Sequence, residues 1–306
     1  MTQTTNRIIM VRPANFGYNT ETADSNGFQN KELGLSSQKI IENAITEFDE
    51  FVKLLRGQGI TVQVLEDTTH PIKPDAVFPN NWFTTHQDGS IVTYPMYAEN
   101  RRLERREDLI DIIGSNIPKI KRYGFEYFEE ESKFLEGTGS MILDRTNKIV
   151  YACLSPRTNI EILDKFSILK SYQVVFFTAV DRKGSEIYHT NVLMTLGEEF
   201  VVICLESIKD TDEKKALLEH FKRTNKEVIE IDYDQMDDFT GNIIQLKNGS
   251  EDRFIIMSAS AFQSLNSNQI EALEKHGTII CPDLKTIEKI GGGSARCMIA
   301  ENFLLE

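Results

Sequence analysis

One pattern of predicted elements repeats five times along this chain of 306 residues. Apolar residues recur with helical periodicity, between plausible cap residues, in five segments. These predicted helices cover residues 36–56, 101–115, 157–171, 210–224 and 264–276. A short β-rich run follows each helix: TVQVL from Thr61, FEYF from Phe125, QVVFF from Gln173, EVIEI from Glu227 and TIICP from Thr278. Further strand-like runs come in pairs, as in NVLMTLGEEFVVICLES, so the repeat is predicted to be ββαβ.

This repeat constrains the fold more than any other feature of the sequence. A unit of about 50 residues buries its apolar face against its neighbours, and a closed ring of units leaves no exposed sheet edge. We therefore predict an α/β fold, a five-fold pseudo-symmetric ββαβ α/β-propeller, formed by residues 1–306 as a single domain. The alternative is a doubly wound α/β sheet, in which helices would alternate with single strands instead of strand pairs.

Charge and composition limit the partners of such a domain. The formal net charge of −13 opposes binding to a phosphate backbone, so we expect no nucleic-acid partner. No apolar run approaches the roughly 20 residues that cross a bilayer, and the first residues lack the layout of a signal peptide. We expect a cytoplasmic protein that binds a small molecule and no membrane. The sequence is compatible with a homo-oligomer but does not determine the oligomeric state.

The four cysteines differ in their surroundings. They show no CxxC spacing, so they indicate neither a metal site nor a disulfide scaffold. Cys153 and Cys204 lie in apolar, strand-like runs and are expected to be buried. Cys297 instead follows three glycines in GGGSARCMIAENF, and glycine allows positive φ and a close approach of the backbone. This setting predicts a cysteine displayed at the rim of a pocket.

Polar residues occupy the same place in every repeat, in the loop just before a strand. The five loops read DAVFPNNWF, FLEGTGSMIL, EIYHTNVLMTL, DFTGNIIQL and GGGSARCMIA. They contain Asn80, Asn81, Glu136, His189, Asn191, Asn242 and Cys297. In a ring of equivalent units these positions converge on the axis. A thiol, an imidazole, a carboxylate and several amides would then share one pocket.

This combination of groups suits nucleophilic catalysis. A histidine can generate or stabilise the thiolate of Cys297, and Glu136 can fix the tautomer of His189 or stabilise its charged form. The amides can hold a polar, neutral group of a substrate. Each residue alone has an ordinary structural explanation, and their shared position in the repeats is what favours a site.

The same motifs resemble those of the guanidine-modifying enzymes of the pentein fold: arginine deiminase, dimethylarginine dimethylaminohydrolase and the amidinotransferases. GGGSARCM resembles their nucleophile motif, and LEG at Leu135 resembles their acid motif. LSPRTN resembles a segment whose arginine holds the substrate carboxylate. PDAVFPNNW, which contains Asp75 and Phe78, resembles the segment that opens the guanidine pocket. The resemblance spans nearly the whole chain.

The resemblance implies a role for each motif. Cys297 would be the nucleophile, His189 the general acid and base, and Glu136 the partner of His189. Arg157 and Arg101 would bind the α-carboxylate of the substrate, a role that suits a planar guanidinium. For Arg101, a surface charge on a helix is the alternative. No metal or organic cofactor is implied.

Two asparagines separate this chain from relatives that act on a guanidinium. Asn81 and Asn191 stand where such relatives commonly have aspartates, and an amide cannot neutralise a buried cation. A neutral ureido substrate is therefore expected first, as in the citrulline-utilisation hydrolases, with citrulline giving ornithine, ammonia and carbon dioxide. The alternatives are a deiminase or dihydrolase of arginine or a substituted arginine, whose cation Asp75 would stabilise, an amidinotransferase, and a non-catalytic amino-acid-binding protein.

Overall fold

The structure is a computed structural model, and it describes residues 2–23, 25–30, 34–115, 117 and 119–304. Within these residues the strands form five three-stranded sheets. The strands are β1 (Arg7–Arg12), β2 (Thr61–Glu66), β3 (Phe83–His86), β4 (Ser90–Thr93), β5 (Lys121–Gly124), β6 (Ile142–Asp144), β7 (Ile149–Cys153), β8 (Gln173–Phe177), β9 (Met194–Leu196), β10 (Phe200–Ile203), β11 (Glu227–Glu230), β12 (Ile244–Lys247), β13 (Arg253–Ile256), β14 (Thr278–Ile280) and β15 (Ala300–Glu301).

All five sheets, here called blades, share one topology. In the blade β3–β4–β5 the first two strands are antiparallel, and the third is parallel to the second. The blades β6–β7–β8, β9–β10–β11 and β12–β13–β14 repeat this order. In the blade β15–β1–β2 the first strand comes from the other end of the described chain, with Ile8 opposite Glu301. The predicted five-fold ββαβ α/β fold is confirmed.

Contacts between blades complete the arrangement. Strand β15 contacts β3 of the next blade, β6 contacts β9, and β9 contacts β12. The backbone N–H of Lys247 also donates to the carbonyl of Thr5, which links the last blade to the segment that precedes β1. The blade that contains residues from both ends of the chain therefore has neighbours on both sides.

The helices lie mainly between the second and third strands of each blade. They are α1 (Ser37–Gly57), α2 (Glu99–Arg102), α3 (Glu107–Gly114), α4 (Gly137–Ser140), α5 (Ile160–Lys170), α6 (Thr190–Leu193), α7 (Thr211–Arg223), α8 (Tyr233–Asp237), α9 (Ala259–Ser264) and α10 (Ser267–Glu274). Short 3₁₀ turns cover Pro79–Asn81, Glu126–Glu131 and Leu205–Ser207, and a π-helical turn covers Ile287–Gly291. Among the described residues, no helix is long and apolar enough to cross a membrane.

The predicted helix 101–115 is wrong as one continuous element. Helix α2 ends at Arg102 and α3 begins at Glu107, after Arg106 in an extended conformation. The break follows from side chains that turn inward: Arg101 and Glu104 are buried against each other. Continuous helical periodicity cannot reveal this break, because its cause is burial of charged groups.

Two other predicted helices start later than expected. Helix α5 begins at Ile160 because Asn159 caps it, accepting the Glu161 N–H, and Arg157 therefore lies in the loop before the helix. Helix α10 begins at Ser267, after a capping box between Asn266 and Gln269.

The predicted strand FEYF, starting at Phe125, is also wrong. The strand of this blade is β5, and a 3₁₀ turn at Glu126–Glu131 follows it. All four residues of β5 are exposed, so the strand lacks the alternation that marks a half-buried strand. Phe125 and Phe128 are buried in the core, which gives this segment its strand-like appearance.

Apolar side chains fill the space between each blade and its helix. The buried face of α1, for example, packs in one cluster with Ile8 and Met10 of β1. Cys153 and Cys204 are fully buried in another cluster, as predicted. The core thus occupies the flanks of the blades and leaves the loops before their first strands for polar residues.

Candidate active site

The loop before the first strand of each blade brings its polar residue to a common site. Glu136 is the residue before α4, and His189 is the residue before α6. Helix α4 contacts both α6 and the 3₁₀ turn Pro79–Asn81. Asn242 and Cys297 come from the two remaining loops and contact each other. The polar residues that occupy equivalent positions in the repeats are therefore also close together in space.

Glu136 and His189 form a fully buried pair. The distance from His189 Nε2 to Glu136 Oε2 is 2.7 Å, and Glu136 Oε1 accepts the Tyr97 N–H at 2.9 Å. Arg157 Nη1 lies 3.5 Å from the same carboxylate. Burial disfavours the carboxylate form of Glu136, but Arg157 and the hydrogen bond to His189 outweigh it and hold the Glu136 pKa well below its usual range.

The imidazole of His189 is neutral at neutral pH. Burial lowers the pKa of His189 to about 4, although Glu136 opposes this effect. An ionised carboxylate can only accept, so the ring proton sits on Nε2 and faces Glu136. The lone pair of Nδ1 then remains to take a proton, as a general base requires.

Two amides direct N–H groups at the sulfur of Cys297. Asn242 Nδ2 is 3.1 Å and Asn191 Nδ2 is 3.4 Å from Sγ. The backbone N–H of Cys297 donates to Asn242 Oδ1 at 3.3 Å, which fixes the orientation of that amide. Hydrogen bonds to the charged form favour it, so both amides stabilise the sulfur when it becomes an anion.

Two glycines allow the loops to approach this closely. A Cβ on Gly137 would lie 2.3 Å from the carbonyl oxygen of Asn80, and the φ of Gly137 is +48°. A Cβ on Gly139 would lie 2.5 Å from Asn81 Nδ2 and 2.8 Å from the His189 ring. The motif LEGTG therefore brings the acid, the histidine and the asparagine loop together.

The asparagine loop carries polar atoms that lack partners among the described residues. Asn80 is fully buried, yet neither of its amide atoms has a hydrogen-bond partner there. The same holds for Asn81 Nδ2 and Asn191 Oδ1, although the other amide atom of each residue is bonded. Buried polar atoms without partners are rare in folded proteins. Asn81 Nδ2 and the His189 ring both lie beside Gly139, and the Asn191 amide contacts Cys297 Sγ, so their unpaired atoms indicate a site for a polar ligand.

Arg101 lies in the site but is occupied by protein groups. Its Nε and Nη2 donate to the two carboxylate oxygens of Glu104 at 2.9 and 3.0 Å, and Nη1 donates to Asn81 Oδ1 at 2.8 Å. Asp75 is 3.7 Å away, and its Oδ1 has no partner among the described residues. Burial raises the pKa of Asp75, although Arg101 opposes this effect. The nearby Phe78 ring packs against Gly291 and Gly293 of the nucleophile loop.

Arg157 is buried between two tyrosine rings. Its guanidinium carbon lies 4.7 Å from the ring centre of Tyr188 and 5.6 Å from that of Tyr97. Its Nη2 donates to the carbonyl of Thr22 at 3.3 Å and to the hydroxyl of Ser25. Its Nε has no partner among the described residues. Arg157 and Tyr188 also line a cleft of about 780 Å³.

The sequence did not point to several residues that shape the site. Asn19 Nδ2 donates to Asp75 Oδ2 at 2.7 Å, and Asn26 Nδ2 donates to the Gly291 carbonyl at 3.3 Å. The Tyr188 hydroxyl donates to the Gly292 carbonyl at 3.1 Å. Glu104 looks like a solvated charge in NRRLERRED. Nothing in the local sequence distinguishes these residues from ordinary loop or surface positions.

Comparison with known families decides the relationship. Residues 12–304 match the family described as N,N dimethylarginine dimethylhydrolase, eukaryotic. The chain belongs to this family. A comparison with curated proteins finds no match.

Solved structures share the fold of this family member at low sequence identity. The N-terminal domain of ArgZ, an arginine dihydrolase from the ornithine-ammonia cycle in cyanobacteria, was solved as a mutant bound to substrate. It is 16% identical, with a TM-score of 0.74, and the match covers 96% of this chain and 97% of that one. A mutant dimethylarginine dimethylaminohydrolase, solved as an adduct with S-methyl-L-thiocitrulline, is 17% identical, with a TM-score of 0.65 and coverage of 97% and 99%.

Some of these neighbours are longer proteins. A mutant of AgrE in complex with L-arginine is 15% identical, with a TM-score of 0.74, and the match covers 98% of this chain but 40% of AgrE. The family member likewise spans 40% of the ArgZ chain in its apo structure. At these identities the neighbours establish the pentein fold.

Proposed function

We propose that this chain hydrolyses the guanidino group of arginine, or of an arginine substituted on that group, with Cys297 as the nucleophile. The family is named for a dimethylarginine hydrolase, and the neighbours ArgZ and AgrE are described with arginine as substrate or ligand. The sequence favoured citrulline, and the comparisons support the guanidino alternative better. We therefore put the guanidino substrate first.

The observation that carries this proposal is the charge of the buried site. Three carboxylates, those of Asp75, Glu104 and Glu136, contact two guanidinium groups, those of Arg101 and Arg157. When all three carboxylates are ionised and His189 is neutral, one negative charge is in excess. Burial raises the pKa of Glu104 to about 7 and also raises that of Asp75, so this excess charge is costly. A substrate with a net positive charge, such as arginine, would relieve that cost, whereas the zwitterion citrulline would not.

The chemistry would begin with proton transfer from the Cys297 thiol to the neutral His189, and the thiolate would attack the guanidino carbon. His189, charged at that point and stabilised by Glu136, would protonate the departing nitrogen, which leaves as ammonia or an alkylamine. Water activated by the same histidine would then attack the carbon and release the thiolate. One round converts arginine to citrulline. A second round on the ureido group gives ornithine, ammonia and carbon dioxide.

Substrate binding would use the groups that have free hydrogen-bonding capacity. Arg157 Nε, for the α-carboxylate, and Asp75 Oδ1, for a cationic group of the substrate, have no partner in the part of the chain that the structure describes. Arg101 would contribute charge more than hydrogen bonds, because Glu104, Asn81 and the Phe78 carbonyl occupy most of its donors.

Mutual contacts of neighbouring blades support a single domain in which all these residues act together.

A ureido substrate is the second candidate, and the amide orientations favour it. Among the described residues, the N–H₂ group of Asn81 and the amide oxygen of Asn191 have no hydrogen-bond partner. One free donor and one free acceptor match a carbon that bears an oxygen and an amino group. The same match suits an enzyme that processes arginine through a ureido intermediate.

A substrate panel with product analysis by mass spectrometry tests the proposal. Arginine, its N-methylated derivatives, citrulline and agmatine, which lacks the carboxylate, would be compared by kcat/KM. We expect the highest value for arginine or a methylarginine, with release of ammonia or methylamine. Turnover of citrulline at a higher kcat/KM than every guanidino compound would replace our first substrate with the second. The absence of turnover for the whole panel would refute both.

The two asparagines allow a sharper version of this test. In Asn81→Asp/Asn191→Asp the ratio of kcat/KM for arginine to that for citrulline should rise, because two carboxylates favour a cation over a neutral guest. Asn147→Asp is the matched control, since among the described residues the Asn147 amide donates to Asp144 and to no residue of the site. A ratio in the double variant equal to that of the wild type would show that these positions do not discriminate between substrates by charge.

A further inference from the structure

The pair Arg101–Glu104 is an ion pair with almost no contact with solvent. Each residue is 3% exposed, and the guanidinium meets the carboxylate through two hydrogen bonds of 2.9 and 3.0 Å. Taking both charges out of water costs free energy that the pair itself barely recovers. Because the Arg101–Glu104 pair contributes little stability of its own, we expect it to hold other groups of the site in place.

The group that Arg101 holds is the amide of Asn81. Arg101 Nη1 lies 2.8 Å from Asn81 Oδ1, and Arg101 Nη2 donates to the Phe78 carbonyl at 3.3 Å. A guanidinium has only donors, so the amide oxygen of Asn81 must face Arg101. The amide nitrogen must then face the other way. It has no partner among the described residues and lies on the side of Gly139 and His189.

We infer that Glu104 is a positioning residue, which fixes Arg101 so that Asn81 presents its N–H₂ group to the reacting carbon of the substrate. This inference rests on the proposed hydrolytic function. When water adds to that carbon, negative charge develops on the new oxygen, and a prearranged N–H donor stabilises it. Without the Glu104 carboxylate, Arg101 loses two of its four hydrogen bonds, so it can turn away and let the Asn81 amide rotate and present its oxygen instead.

The opposite orientation of Asn191 supports this assignment. Its nitrogen is directed to the sulfur of Cys297, and its oxygen has no partner within the described ranges of the chain. The two asparagines thus face the site with different atoms, and a different protein group sets each orientation. Arg101 sets that of Asn81, and Cys297 sets that of Asn191.

A role of Arg101 in binding the substrate carboxylate makes a different prediction. Four of its five N–H groups already donate to Glu104, Asn81 and Phe78. A carboxylate-binding residue would affect KM, and its loss would matter little for agmatine. A residue that positions Asn81 affects kcat and matters equally for arginine and agmatine.

The decisive experiment is a double-mutant cycle of Glu104→Gln and Asn81→Ala. We expect Glu104→Gln alone to lower kcat by about 10- to 100-fold with a small change in KM, and to do so for agmatine as for arginine. In the Asn81→Ala background the same change should have almost no further effect. Additive effects, or an effect confined to KM for arginine, would overturn the inference.

A matched control separates positioning from general destabilisation. Asp144 and Lys226 form another buried ion pair, and neither residue bonds a residue of the site. Asp144→Asn should lower Tm in the way Glu104→Gln does while leaving kcat near the wild-type value. If Glu104→Gln is unfolded at the assay temperature, Arg101→Lys replaces it, since a compact ammonium lacks the planar fork that bonds the Glu104 carboxylate twice while it reaches Asn81 and Phe78. The same lack of additivity with Asn81→Ala is expected.

A readout without turnover keeps this inference separate from the proposed function. Nitrogen–proton NMR spectra would follow the side-chain amide of Asn81, assigned from its loss in Asn81→Asp. We expect Glu104→Gln to shift or broaden this signal and Asp144→Asn to leave it unchanged. An unchanged signal in Glu104→Gln would refute the positioning role even in an enzyme that hydrolyses arginine. A shifted signal in a protein inactive on the whole panel would refute the proposed function alone.

Discussion

Glu136 and Asn80 occupy neighbouring blade loops, and both are fully buried, but their hydrogen bonding is opposite. Both oxygens of Glu136 are bonded, one to the Tyr97 N–H and one to His189. Neither amide atom of Asn80 has a partner among the described residues. A buried polar group without a partner costs about 1–3 kcal/mol, whereas a bonded one contributes to stability.

This contrast divides the site into two sides. On the Glu136 side the protein completes its own hydrogen bonds, so the imidazole is held in one tautomer before any substrate arrives. On the Asn80 side, polar atoms remain available to a ligand. Substitutions on the first side should therefore lower both stability and turnover. Substitutions on the second side should lower activity without lowering stability.

The largest expected effect belongs to Cys297, where the two sides meet. Cys297→Ser should lower kcat by about 10⁵-fold, because a hydroxyl is far harder to ionise than a thiol. The Asn191 and Asn242 amides also lie at distances that suit a sulfur atom. Tm should change little. Cys153→Ser is the control, since this thiol is buried in the core and should affect stability more than turnover. Near wild-type kcat in Cys297→Ser would exclude covalent catalysis by this residue.

The next largest effect is expected on the Glu136 side, where the protein completes its own hydrogen bonds. Glu136→Gln should lower kcat by about 10³- to 10⁴-fold, because a glutamine can present its N–H₂ to His189 and select the wrong tautomer. It should also lower Tm, since Arg157 loses its buried counter-charge.

Glu129→Gln is a close control for this change. Glu129 accepts the N–H of Met96, one residue before Tyr97, and pairs with Arg105 at 2.6 Å, outside the site. It should lower Tm with little effect on kcat. Equal kinetic losses in the two variants would mean that Glu136 acts only by holding the backbone at Tyr97.

The side with free polar atoms should behave in the opposite way. Asn80→Leu, which is nearly isosteric, should raise the free energy of unfolding by about 1–3 kcal/mol, because it removes two buried atoms without partners. The same variant should lower kcat/KM by about 10-fold or more. Denaturant unfolding and steady-state kinetics measure the two quantities. Asn147→Leu, which breaks the amide bonds to Asp144, should be destabilising. Loss of stability in Asn80→Leu would show that Asn80 has partners within the folded protein.

The smallest effect concerns pH and His189. Burial lowers its pKa to about 4 in the folded state, from an ordinary value of 6.5. As pH falls from 6.5 towards 4, the unfolded chain therefore takes up the proton first, and folding loses stability over this interval. Between pH 6.5 and 4, His189→Gln should make the unfolding free energy fall less steeply with decreasing pH. Above pH 6.5 the slope should be the same in the variant and the wild type. An identical slope in the variant would mean that His189 is not neutral in the folded protein.

Much of this could be predicted from the sequence, because it depends on local periodicity. The ββαβ repeat is visible in the alternation of short-range patterns, and the equivalent loops of a ring must meet near one axis. Glu136, His189, Asn191, Asn242 and Cys297 could thus be assigned to one site from their positions in the repeat. Cys153 and Cys204 could be assigned to the core from their apolar neighbours.

Only the tertiary structure decided what those residues bond to. The break of the predicted helix 101–115, the burial of Glu104, the contact of Asn19 with Asp75 and the orientations of the Asn81 and Asn191 amides all depend on partners distant in sequence. The false strand FEYF has the same origin, since its aromatic rings are buried by packing and not by a sheet. Local sequence sets which conformations a segment prefers, whereas the burial of a charge or an amide is determined by the groups that surround it after folding.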